Sequence, residues 1–136
     1  MNTLPSKPSE LITIALEDLA KVEKIKGYKV YMRDWHEPDG KVCSVCAAGA
    51  VMAMRLGVKP QEDRAPSNFD GDGLGDKLRA INNLRTGGVY FAFRDLSMDS
   101  TVGMRFDRHI PEYEDGRRAF KREMRKLARD LAKAGY

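Results

Sequence analysis

The stretch that most constrains this chain is Gly40 to Leu56, GKVCSVCAAGAVMAMRL, which joins both cysteines to a dense apolar run carrying almost no charge. Charged segments flank it, RDWHEPDG before and GVKPQEDRAPS after, so the other segments must fold around it. Val45 to Leu56 is rich in Ala and Met and long enough for about three turns, which predicts a helix. Ser44 is the expected N-cap and Gly57 the expected stop. Apolar residues occupy nearly every face, so this helix should be buried on most sides, with Arg55 reaching solvent. Ala47, Ala48, Gly49 and Ala50 leave little side-chain volume at its start. A mid-helix glycine costs about 1 kcal/mol, so close approach by another segment is the better reason for Gly49.

Around that centre the pattern is helical. Leu11, Ile12, Ala15, Leu16, Leu19 and Val22 recur at three and four residues, giving an amphipathic helix near 9–26 that ends before Gly27. Leu74, Leu78, Ile81 and Leu84 predict another near 74–86, and Phe120, Met124, Leu127 and Leu131 a terminal one near 116–133. Residues 36–40 read as a turn, 58–72 as a polar connection anchored by Phe69, and 97–116 as loop. YKVYMRDW (28–35) and VYFAFRDL (89–96) have strand-like composition, and pairing of 28–34 with 89–94 would make one small hairpin, but both stay open between strand and helix, since Tyr90, Phe93 and Leu96 would also line a helix. The expected fold is a mainly α, compact domain of about four helices with room for that hairpin. Residues 1–8 read as a flexible arm and 9–136 as a single globular domain. At 136 residues one core suffices.

No apolar run approaches the length of a membrane span, and MNTLPSKPSE lacks the pattern of a signal peptide, so a cytoplasmic protein without membrane contact is expected. The formal charge of +4 is unevenly placed. Residues 117–133 hold eight Lys or Arg against Glu123 and Asp130, a local +6, which leaves −2 for the remainder.

Cys43-x-x-Cys46 admits three readings. A zinc site needs two more ligands, and His36 and His109 are the histidines available. A redox pair at a helix start would gain acidity from the helix dipole, but no parallel sheet to carry it can be identified. Cys46 with His109 as base would fit a thiol hydrolase. Against all three stands the simplest reading, two small apolar core residues. The acidic loop Asp70-Gly-Asp-Gly-Leu-Gly-Asp76 resembles a calcium loop at first, but its twelfth position is Ile81 where a bidentate Glu is required. No catalytic residue, cofactor or metal site is assigned, with His36, Cys43, Cys46 and His109 the only metal alternative.

A partner surface is easier to place. Arg117, Arg118, Lys121, Arg122, Arg125, Lys126 and Arg129 make the terminal helix the expected contact for an acidic protein. Nucleic acid is the second partner class, since the same cations suit phosphates.

The runs CSVCAAGAVMAMRLG (43–57) and KLRAINNLRTGGVY (77–90) resemble a group of small phage and prophage-associated proteins. These share an upstream Trp, a Cys-x-x-Gly-Ala helix and a later Ala-Ile-Asn-Asn-Leu-Arg type of helix. The likeness lies at Trp35, Cys46, Gly49, Asn82 and Arg85. It implies a non-enzymatic accessory factor that binds and modulates, or inhibits, a host or defence macromolecule, and it brings no catalytic residues with it.

Overall fold

The computed structural model describes residues 3–136, apart from the Asp72 side chain. Helix α1 (Pro8–Glu23) begins with Pro at its first position, where the missing N–H is no loss. Its buried stripe of Leu11, Ile12, Ala15, Leu16, Leu19 and Val22 is the one the spacing predicts. Before it, Leu4 is buried and its carbonyl accepts from Lys77 Nζ at 3.1 Å. Of the expected arm, residues 1 and 2 lie outside the described residues.

A three-stranded sheet follows, in the order β1-β3-β2. Strands β2 (His36–Asp39) and β3 (Val42–Val45) form a hairpin, and β1 (Tyr28–Val30) pairs parallel to β3 with Tyr28 opposite Cys43. The expected turn at 36–40 is therefore mostly strand, and the reversal is made by Gly40 and Lys41, with Gly40 at φ +65°. Pro38 sits on the edge strand, where its lack of an N–H is tolerated. The expected pairing of 28–34 with 89–94 is not made. Residues 89–93 form helix α4, because a segment apolar on both sides satisfies its backbone internally when no strand lies beside it.

Helix α2 (Ala47–Arg55) starts two residues later than expected, since Ser44 belongs to β3 and the cap is Cys46, whose sulfur accepts from the Gly49 N–H at 3.4 Å. Its burial is nearly complete through Met52. A Cβ on Gly49 would stand 1.6 Å from the Trp35 carbonyl oxygen, so the segment ahead of the hairpin passes directly over the helix backbone there. Arg55 at the far end donates to Asp18 at 2.8 Å and to Glu17 at 2.9 Å, fastening α2 to α1.

The polar connection contains a 3-10 helix at Pro66–Asp72, where the Asn68 side chain accepts from the Ala65 N–H. Helices α3 (Leu74–Asn83), α4 (Val89–Phe93, continued by a 3-10 turn to Leu96), α5 (Ser100–Arg105) and α6 (Arg117–Lys133) complete the fold. The fold is mainly helical with a small mixed sheet, and the described residues contain seven helical segments where about four were expected. The additional ones are short and irregular in pattern, which is why 97–116 reads as loop although Asp99 caps α5 by accepting from Thr101 and Val102. Helix α1 packs against α2, α3 and α6 and forms the spine of the core.

Candidate functional site

The cysteine centre is an internal structure. Cys43 is buried, with its sulfur 3.5 Å from His36 Nδ1 and 3.8 Å from Nε2. The buried His36 ring is held at Nδ1 by the Glu62 carbonyl at 2.7 Å and at Nε2 by the Tyr28 hydroxyl at 3.2 Å. A carbonyl only accepts, so Nδ1 carries a hydrogen toward it. Burial pushes the Cys43 thiol up to about 11, helped by the nearby Asp63, Asp34 and Glu37 carboxylates. Burial pushes Cys46 up to about 12 against the hydrogen bonds of the helix start. A nucleophilic thiol needs the opposite shift.

The four metal alternatives are not brought together. His36 and Cys43 meet, while Cys46 faces its own helix start and the Trp35 carbonyl at 3.8 Å. His109 is exposed in the segment before α6. Among the described residues no three His, Cys, Asp or Glu side chains are grouped to hold a metal ion. Asp70 and Asp76 of the acidic loop each pair with Arg79 at 3.1 Å. The positions of likeness are mostly internal as well. Gly49 and Cys46 meet the Trp35 backbone, the Asn82 side chain is buried, and the Arg85 charge lies close enough to Cys46 to counter its upward shift.

The seven cations nominated on α6 divide into two sets. Arg117 and Lys121 lie over the ring of the buried Tyr113, at 4.8 and 5.7 Å, Arg117 while remaining exposed, and Lys121 also pairs with Glu23 at 3.2 Å. Arg118, Arg122, Arg125, Lys126 and Arg129 are exposed on the side opposite Phe120, Met124, Leu127 and Leu131, and Lys133 continues the row. The two acids of α6 lie on a different flank, where Arg108 takes both, Glu123 at 3.7 Å and Asp130 at 3.6 Å. Within the row the one ion pair among the described residues is a long contact of 3.9 Å from Arg122 to Glu123. The result is a ridge of six cations, about 23 Å long at helical rise, with little internal neutralisation.

Beside the ridge lies an open groove of about 960 Å³ between α1 and α6. The pairing of Lys121 with Glu23 joins the start of α6 to the end of α1, so the helices run antiparallel. The groove exists because Ala20, Ala128 and Ala132 are too small to close the space between them.

Sequence reasoning found the cations but not Arg108, Lys133 or the groove. Lys133 was available from the helical spacing alone. Arg108 sits in an irregular segment with no periodic signal, and the groove depends on which helix packs against α6. Compared with protein-family models, curated proteins and solved structures, the chain matches none.

Proposed function

We propose that this chain is a non-enzymatic interaction protein that binds and modulates an acidic macromolecule, with the outer face of α6 as its contact surface. The reading carries with it the role of a small phage-type accessory factor acting on a host or defence protein. The observation that supports it is the sorting of charge on α6, with both acids held by Arg108 on one flank and six exposed cations on the other. Unneutralised charge of one sign steers an oppositely charged partner and sets the rate of encounter. A protein partner is favoured over nucleic acid because Glu10 and Glu17 stand across the groove from Arg125 and Arg129, where they would repel a continuous row of phosphates.

The test compares the wild-type chain with Arg118→Glu/Arg122→Glu/Lys126→Glu in capture from cell extract, with nuclease treatment and a parallel DNA mobility shift at low and moderate salt. The expected result is a captured protein that survives nuclease and is lost with the variant. A salt-sensitive DNA complex in its place would favour the nucleic-acid reading, and an unchanged set of captured proteins would remove the ridge as the contact.

A further inference from the structure

The groove between α1 and α6 has walls of opposite charge, and this narrows what can occupy it. Its floor and sides are apolar, formed by Leu16, Ala20, Ala128 and Ala132 with the half-buried Ile14 and Tyr136. Along the α6 wall stand Arg125 and Arg129, one turn apart, both exposed and without an ion pair among the described residues. Along the α1 wall stand Glu10 and Glu17, two turns apart, with the exposed Lys7 at its N-terminal end, so this wall is acidic in balance. Glu10 has no ion pair among the described residues, and Glu17 shares the Arg55 guanidinium while remaining 54% exposed. The α1 residues that line the groove run from Ser9 to Ala20, about 17 Å or three turns of helix.

We propose that this groove binds one amphipathic helix of a protein partner, lying along α1 and α6, with an apolar stripe flanked by acidic residues on one edge and basic residues on the other. The proposal rests on the reading of α6 as the contact surface and specifies the partner. The acidic edge meets Arg125 and Arg129, and the basic edge meets Glu10 and Glu17. A stretch of polyanion would satisfy one wall and be repelled by the other. A second copy of this chain presents the same concave face, and two concavities leave the apolar floor unfilled. A helix is convex, and it seats an i, i+3, i+4, i+7 row of side chains over alanines that leave room for them.

The test is a fluorescence-anisotropy titration of the full chain with three designed helical peptides of about 18 residues sharing one apolar stripe. The first has one Glu edge and one Lys edge, the second has Glu on both edges, and the third has Lys on both. The mixed peptide is expected to bind about tenfold more tightly than the all-Glu peptide, with the all-Lys peptide weakest. Ala132→Phe fills the groove at an exposed position and should weaken the mixed peptide by about tenfold with Tm unchanged. Arg125→Glu/Arg129→Glu should shift the preference to the all-Lys peptide. If the all-Glu peptide binds tightest and Ala132→Phe has no effect, the groove inference is overturned while the ridge reading stands. If no peptide binds, the groove inference falls, and the ridge reading is decided by the capture comparison. A dimer of the chain alone that Ala132→Phe abolishes would show that the occupant is a second copy and would also overturn the inference.

Discussion

The chain has two regions rich in functional-looking side chains, and they use them in opposite ways. Around α2 every such group is engaged within the protein. Cys46 caps its own helix, His36 is held from both ring nitrogens, and Cys43 sits against that ring. On α6 the cations point outward while the acids that could neutralise them are held elsewhere by Arg108. Reactive residue types close together in sequence are thus poor markers of a site here. On α6 it is the one-signed row of charge, little neutralised within the protein, on which the proposed contact rests.

The contrast is broken most severely at Gly49. A methyl group at this position would overlap the Trp35 carbonyl, so Gly49→Ala should cost about 3 kcal/mol or more in denaturant unfolding, or prevent folding. A loss under about 1 kcal/mol would mean that the segment above α2 yields easily and that the centre is not tightly packed.

The fastening of α1 to α2 comes next. Arg55→Met leaves the buried Asp18 carboxylate without its nearest cation and should cost about 2–3 kcal/mol, less than for a fully buried pair because Arg55 is 34% exposed. Burial outweighs Arg55 and raises the Asp18 carboxyl above its ordinary value of 3.8. The folded protein therefore holds this proton more tightly than the unfolded chain does. Asp18's contribution to stability falls as pH rises from 3.8 through the raised value, then levels off. Removing Arg55 should deepen that fall, measurable as unfolding free energy against pH.

At the thiols the effect is kinetic. With Cys43 pushed up to about 11 from 9.0, its thiolate at neutral pH is about 100-fold scarcer than for an ordinary cysteine, so alkylation of the folded protein should be at least that much slower than in denaturant. The same shift means that stability falls as pH rises from 9.0 toward 11, because the unfolded chain loses its thiol proton first. Rapid alkylation of either cysteine at neutral pH would move the centre from scaffold to reagent. On the ridge, by contrast, Arg118→Glu/Arg122→Glu/Lys126→Glu should change stability by only about 0.5 kcal/mol, since the charges have little to lose inside the protein.

The helices at the two ends and in the middle were legible in sequence because their apolar spacing is long and regular. The small residues around Gly49 also announced a close approach, although not that the Trp35 carbonyl would make it. The hairpin was hidden because β2 is His-Glu-Pro-Asp, with only His36 buried, and so carries no alternating pattern. The end of strand β3, Ser44 and Val45, was read as the cap and start of the following helix because VCSV and AAGAV form one apolar run, and only the third dimension supplies β1 as its partner. At 89–93 strand-like residues became helix for want of a neighbouring strand, a tertiary decision that propensity cannot anticipate. On α6 the placement of Arg117 and Lys121 over a ring depends on Tyr113, a residue from an irregular segment.

The central claim is that the cysteine centre is scaffold and the α6 ridge is the contact. Its most direct test measures Tm and the affinity for the mixed-edge helical peptide on two variants side by side, Cys43→Ala/Cys46→Ala and, on the part of the ridge that lines the groove, Arg125→Glu/Arg129→Glu. The account predicts that the cysteine variant has a lower Tm and undiminished affinity, while the ridge variant keeps its Tm and loses at least about tenfold in affinity. Loss of binding in the cysteine variant while it remains folded, with binding intact in the ridge variant, would contradict it.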